Sequence, residues 1–373
     1  RAQYYTLLGT ILDRQGDAEG ANEAWVEARS LSSGIAAPGL KAELNFYVAL
    51  SAWSSKDLEE TEAIARQSIS EHPAGELDSN PYHPAISLAF TYELLSMVEG
   101  VHERYENQIA LLKRGLDVLG ASPQQHVWAE GSLLNNLASI IPEVRRPDVA
   151  KLVREHATQL RWNSEMPGWA YNVYRALGWS EALEGNEIAA FRDLREAEGH
   201  APSIPRRIEV ILDRSFLFAS IGEKVSARER FDEADQLCAK VDWNATEGED
   251  RYALLWGAEL AASFDPKRAA AMIRRYKMIR KPMNPLLVAS ANLRRWQAYE
   301  SDAFGVVAGA NGNVSEGLLH LQTALRVWDS LGFNWRAAKT ARAVARLTNA
   351  ELHLADATKR ASSYSQSWLA RPA

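Results

Sequence analysis

Two histidines, His72 and His83, fall within one proline-rich stretch, SEHPAGELDSNPYHPA (70–85), with Glu71, Glu76 and Asp78 close by. Imidazoles and carboxylates brought together by a loop could ligate a divalent transition metal. Histidines in a polar loop are far more often solvated, and the chain carries no H-E-x-x-H or C-x-x-C pair, so neither a metal nor any other cofactor is expected. Nucleophile chemistry fares no better. There is no G-x-S-x-G elbow, and the single cysteine, Cys238, follows Leu237 on an apolar helical face, the place of a buried, inert thiol. GVVAGANGNVSEG (305–317) is glycine-rich but has no Lys-Ser/Thr and follows no strand, so it reads as a helix end and its turn. The densest basic run, MIRRYKMIRKP (272–282), gathers Arg274, Arg275, Lys277, Arg280 and Lys281 around Tyr276. Such a run could meet nucleic acid or an acidic partner, although at helical spacing it is more often a solvated outer face. With a net charge of −6, nothing overall favours nucleic acid, and no direct nucleic-acid contact is expected. No catalytic motif emerges, and the chain is expected not to be an enzyme. What remains is recognition chemistry, which depends on the elements that present the side chains.

Those elements read as helices throughout. The chain has 373 residues, 46% hydrophobic and 24% charged, the balance of a folded, water-exposed protein. No apolar run reaches the roughly 18 residues that a membrane helix needs, so no membrane partner is expected. One cysteine excludes an intrachain disulfide framework and fits a reducing, cytoplasmic setting. In YYTLLGTILDRQGDAEGANEAWVEARSL (4–31), Tyr5, Leu8, Gly9 and Leu12, then Ala21, Trp25, Ala28 and Leu31, recur at spacings of three and four. Gln15-Gly16-Asp17 separates the halves, supplying a glycine for the left-handed turn and an aspartate to cap the next helix. The stretch is therefore a helical hairpin. Gly9 and Ala21 are small where two antiparallel helices meet, and Trp25 fills the remaining space.

The order of aromatic, Leu-Gly, large apolar residue, Gln-Gly-Asp, then Ala, aromatic, Ala resembles the tetratricopeptide repeat. A second copy places Tyr174, Leu177, Gly178, Gly185, Ala190, Leu194, Ala197 and Pro202 in the same register. Gly16 and Gly185 are 169 residues apart, close to five repeats of about 34 residues. Further copies run through Ser215, Phe218, Gly222, Ala227 and Phe231, and through Phe304, Gly305, Gly312, Leu321 and Ala324, with looser ones between. Arg214 and Glu181 stand where the pattern wants large apolar residues. The resemblance implies an all-α, right-handed superhelical solenoid of roughly nine antiparallel helix pairs. It would span 1–373 as a single array, with a long loop near 70–85, a break near 280–285 and a weaker one at 161–168. The chain opens inside a helical pattern at Arg1, so an N-terminal effector domain is expected to lie outside it.

In this family, set positions of each first helix commonly face a concave groove. Carried across residue by residue, they are Thr6, Thr10 and Asp13; Asn135 and Ser139, beside Asn136; Asn172, Arg175 and Trp179; Glu209 and Phe216; and Tyr252 and Glu259. The resemblance implies a protein or peptide partner in that groove, or a small-molecule effector. Arg175 and Trp179, four apart, share one helical face, and replacing them as Arg175→Glu with Trp179→Ala is expected to abolish binding and leave the fold intact. The degenerate repeats, the twelve tryptophans and the tail HLQTALRVWDSLGFNWRAAKTARAVARL (320–347) are similar to the ligand-sensing arrays of large bacterial LuxR-type transcription activators. The alternatives are a peptide-pheromone receptor with an asparagine-lined groove, a scaffold that senses nothing, and an accessory domain of an enzyme complex.

Overall fold

Gly16 takes a left-handed backbone (φ 83°), and the amide of Asp17 returns to the carbonyl of Leu12 at 2.9 Å. This bond from the residue after the turn back across five residues closes a helix in the Schellman manner. It recurs at 2.9 Å after Gly185, Gly222 and Gly312, each with positive φ. It also recurs at Asp57 and Arg104, where the left-handed residue is Lys56 (φ 64°) or Glu103 (φ 60°). One turn design thus runs along the chain, and the looser copies keep its geometry without its glycine. A side chain in the left-handed region is disfavoured by about 1–2 kcal/mol, part of which glycine returns through its freer unfolded state. Lys56→Gly is therefore expected to stabilise the protein by roughly 0.5–1 kcal/mol, read as a higher urea midpoint; a lower midpoint would show that the lysine side chain matters more than its backbone.

The computed structural model of the chain describes all residues except 33–37, 73–83, 123–125, 161, 163–166, 247, 280–289 and 365–373. The expected loop near 70–85 and the breaks near 161–168 and 280–285 lie mostly outside the described residues, as do His83, Arg280 and Lys281. The described residues are helical with no strand, and none of their helices is long and apolar enough to cross a membrane. The chain divides into two compact units, Arg1–Leu137 and Ala138–Ala373.

In the first unit, α1 (Ala2–Arg14) pairs with α2 (Ala18–Ser32), α3 (Pro38–Ser54) with α4 (Leu58–Glu71), and α5 (Pro84–Val101) with α6 (Tyr105–Gly120); α7 (Val127–Ala138) follows. In the second, α8 (Ile141–Val144) and α9 (Pro147–Gln159) precede five pairs. These are α10 (Pro167–Leu183) with α11 (Glu187–Gly199), α12 (Ile204–Ser220) with α13 (Lys224–Cys238), α14 (Tyr252–Ala261) with α15 (Pro266–Lys277), α16 (Ser290–Ala310) with α17 (Val314–Leu331), and α18 (Asn334–Thr348) with α19 (Glu351–Ala361). First helices also pack on first helices, as α3 on α5 and α14 on both α12 and α16, so each pair buries the face its neighbour leaves open.

The hairpin seam follows from small residues. A Cβ on Gly9 would fall 2.3 Å from the indole nitrogen of Trp25, which donates to the carbonyl of Thr6 at 3.3 Å. Leu8, by contrast, is only half-buried, so truncating it costs less than the 2–5 kcal/mol of a fully buried leucine.

Candidate functional site

Four consecutive first helices, α10, α12, α14 and α16, turn polar side chains into the interior of the second unit. On α10 the Arg175 guanidinium meets Asp213 of α12 at 2.6 Å and Glu209 at 2.8 Å. Tyr171 donates its hydroxyl to Glu209 at 2.9 Å, and Arg206 approaches the same carboxylate at 3.3 Å. Glu209 and Asp213 have no exposed surface. Burial alone would lower the pKa of Arg175, but Asp213 and its neighbours override it and raise it well above the ordinary value. The group is a closed polar cluster that clamps α10 to α12, and a partner would have to break it to use it.

Trp179, one turn further along α10, is buried. It stacks on Trp335 of α18 with ring centroids 5.2 Å apart and touches Phe216 and Trp256. The Trp335 indole donates to Glu143 of α8 at 3.0 Å. Glu143 also takes Arg336 of α18 at 2.6 Å and Arg295 of α16 at 3.0 Å, and the Arg336 guanidinium lies 4.2 Å over the Trp335 ring. Burial would raise the Glu143 pKa, yet Arg336 and Arg295 hold it below the usual carboxylate value. Next to this cluster Lys339 pairs with Glu259 of α14 and lies 3.6 Å from Asp302 of α16. Asp302 in turn accepts from Trp328 at 2.9 Å and Thr340 at 2.6 Å. These contacts tie α8, at the start of the second unit, to α16 and α18 near its end. Within that unit the row of hairpins returns to its own beginning, and its inner face is filled by its own tryptophans and ion pairs.

Beside the filled interior a cavity of about 1000 Å³ stays open. Phe216, Trp256, Glu259 and Lys339 belong both to its wall and to the network just described. The rest of the lining comes from the ends of α12, α14, α16 and α18, from the turn after α14, from the first turns of α13 and from Leu321 of α17. Apolar surface dominates, through Leu260, Phe264, Val306, Leu321 and Leu347, with Lys224, Arg228, Arg342 and Arg346 as the further charged members.

No protein-family model and no curated protein sequence matches the chain. Among solved structures it is similar to a Rap protein complexed with competence and sporulation factor, with a TM-score of 0.47 and 10% identity over 96% of this chain and 99% of that one. It is also similar to the Cut9–Hcn1 hetero-tetramer of the APC/C, with a TM-score of 0.29 and 12% identity over 97% and 84% of the two chains. At such values the reading of this chain rests on its own side chains.

The groove positions named by the repeat pattern therefore separate. Arg175, Trp179, Glu209, Phe216, Tyr252 and Glu259 come together inside the second unit, Tyr252 lying 5.7 Å under the Arg175 guanidinium. Phe216 and Glu259 alone of these reach the cavity. Asn172 and Ser139 are exposed, and the Ser139 carbonyl accepts from Arg295 at 3.5 Å. In the first unit, Thr6 and Thr10 bond to carbonyls of their own helix at 3.0 Å. Asp13 lies in α1 with its side chain outside the description, and Asn135 is half-buried on α7. The pattern passed over Arg342 and Arg346. Their signal is the run of Lys339, Arg342 and Arg346 at i, i+3 and i+7, which places three cations on one face of α18. The basic run after Met272 has Arg274 and Lys277 exposed at the end of α15, Lys277 standing 4.7 Å over Phe304. Cys238 is buried, and burial pushes its thiol up to about 12. Among the described residues no group of three or more His, Cys, Asp or Glu is placed to hold a metal ion.

Asn136, the neighbour of Asn135, is already engaged. With Ser132 it donates to the carboxylate of Glu93, which is buried on α5. Burial raises the Glu93 pKa to about 7, against the opposing pull of these two hydrogen bonds. The folded state thus holds the proton more tightly than the unfolded chain does. The associated stability is fully present below the unfolded pKa, near 4.5, and is lost as pH rises through about 7. Glu93→Gln keeps an acceptor for both donors and removes the titration. It is expected to flatten the pH dependence of unfolding between about pH 5 and 8 and to raise stability at the alkaline end by on the order of 3 kcal/mol; an unchanged slope would remove Glu93 as its source.

Proposed function

We propose that this chain binds a peptide or small organic ligand in the cavity of its second unit, and that it works by recognition rather than catalysis. The observation that carries the reading is the cavity itself. Its volume stands at the upper end of ordinary ligand pockets, and its wall is mostly apolar with a few placed polar groups. The wall is assembled from the α12/α13, α14/α15, α16/α17 and α18/α19 hairpins, so an occupant touches four of them at once. A ligand that contacts several stacked hairpins favours whichever mutual setting it fits best, which is the thermodynamic requirement of a sensor. In its finer form the reading is the cytoplasmic sensory region of a bacterial transcription regulator, its ligand shifting the populations of states that an attached effector responds to. An asparagine clamp of the pheromone-receptor kind has less support, because Asn136 is committed to Glu93.

The experiment is native mass spectrometry of the chain purified from its own host, beside Ala343→Trp, which places an indole in the cavity. A non-covalent ligand retained one-to-one by the natural chain and lost from the variant, with circular dichroism unchanged, is the expected result. A ligand or protein held equally by both places function elsewhere.

A further inference from the structure

The charge of the cavity wall is unbalanced. Five cations line it, Lys224, Arg228, Lys339, Arg342 and Arg346, against the one carboxylate of Glu259. Lys339 takes up that carboxylate, and Arg228 lies 3.5 Å from Asp232 on its own helix. Lys224 and Arg346 form no ion pair among the described residues. Arg342 and Arg346 stand four apart on α18, a spacing at which like charges face one another and repel. Burial, and after it the charge of Arg346, pushes the Arg342 pKa down to about 10. The polar neutral groups of the wall are already spent: Ser220 and Ser263 donate to carbonyls of their own helices, at 2.7 and 2.9 Å. Trp256, 3% exposed, keeps an indole N–H with no acceptor among the described residues. The site therefore offers donors and positive charge in an apolar enclosure, and little with which to satisfy the backbone of a peptide.

Resting on the cavity reading above, we infer that the ligand is a small amphipathic anion, its carboxylate held by Arg342 and Arg346 and its aliphatic or aromatic body laid against Phe216, Trp256 and Phe264. Guanidinium pairs suit this head group because their planar forks bind a carboxylate bidentately and remain charged in partly buried settings. The anion also removes the repulsion between the two arginines. A small turn of the Trp256 ring would give its N–H a ligand oxygen. The body needs only apolar surface, which the rings and Leu260 supply.

The test uses Nile red, an uncharged apolar dye, as the reporter of the cavity, displaced by decanoate, decanol and decylamine, each below its micelle concentration. Decanoate is expected to displace the dye at a concentration at least tenfold lower than decanol, with decylamine weakest. In Arg342→Gln/Arg346→Gln, decanoate is expected to fall to the level of decanol while decanol is unchanged. Arg346→Gln alone, at an exposed position, shows a partial loss and guards against misfolding of the double variant. Equal displacement by decanoate and decanol in the natural chain, or a preference that survives the double substitution, overturns the anion and leaves the cavity standing. Dye binding that persists undiminished in Ala343→Trp, or is absent from the natural chain, overturns the cavity and the anion together.

Discussion

Glu143→Ala is expected to destabilise the second unit by about 3–5 kcal/mol, the cost of removing one partner from a buried ionic cluster. Glu143 is buried and serves three donors, Arg336, Arg295 and the indole of Trp335. Alanine leaves the Arg336 guanidinium buried among Trp335, Tyr299 and Trp328 without the carboxylate that paired with it directly. The rings attract the cation but do not replace its lost hydration, since a desolvated cation–π contact contributes about 2 kcal/mol or somewhat more against a desolvation cost of several kcal/mol. The effect should also be local in a telling way. α8 has only four residues and buries little beyond Ile141, so its place rests heavily on this carboxylate and on the Arg145 turn, which pairs with Glu184 at 2.8 Å. Amides of Glu143, Val144 and Arg145, which close the α8 turn, are therefore expected to exchange far faster in the variant, while those of α13 and α14 follow the global change. Because the Glu143 pKa is depressed, its contribution is present above the unfolded carboxylate pKa and is lost as pH falls through the folded one. The natural chain should thus lose stability in acid that the variant has already lost. Adding Arg336→Met should recover part of the loss by removing the stranded charge. An unfolding free energy from urea titration within about 0.5 kcal/mol of the natural chain, the range of an ordinary surface substitution, would refute the closure of the unit through this contact.

How far the sequence foretold this arrangement depends on the range of the interaction. The hairpins were legible because their signals are local: a glycine at each strong turn, and small residues opposite Trp25 or Leu194 at the seam. The looser copies hid their turns because Lys56 and Glu103 occupy the left-handed position with the same hydrogen bond and no glycine to mark it. Arg214 and Glu181 looked like faults in the apolar pattern. Each is instead half of an ion pair, with Glu198 at 2.5 Å and Arg154 at 2.7 Å. The inward direction of Arg175, Glu209 and Tyr252 was expected only from the resemblance to the repeat family, whose first-helix positions they match. What period could not say is whether the inner face stays open. That depends on Glu143 meeting Arg336, 193 residues later in the chain, and no nearest-neighbour pattern carries such a contact. The cations of the cavity were hidden for a related reason. Their face of α18 gains meaning only when α12, α13, α14 and α16 enclose a space beside it.

Arg175→Glu with Trp179→Ala is accordingly expected to strike the fold, contrary to what an open groove would imply. The reversal puts a third carboxylate beside Glu209 and Asp213, both without exposed surface, and takes from Asp213 the cation it pairs with, while Glu209 keeps Arg206. Removing Arg175 alone should cost about 3–5 kcal/mol, and the added like charge raises the figure further. Trp179→Ala adds roughly 3–5 kcal/mol by opening a cavity beneath Trp335, Phe216 and Trp256. The two losses share a helix face, so they need not add, but either is a large part of the stability of a domain of this size. Near-UV circular dichroism is the sharper readout, because Trp335, Trp256 and Phe216, the rings that pack on Trp179, should lose their fixed asymmetric packing before helical content falls. An unchanged near-UV spectrum and urea midpoint would return both residues to an open surface. The same experiment constrains how ligand data can be read. A binding defect in this variant would follow from a collapsed wall, since Phe216 and Trp256 line the cavity and lean on Trp179. Only substitutions that touch the cavity and not the cluster, as Arg346→Gln does, can separate contact with a ligand from the integrity of the unit that holds it.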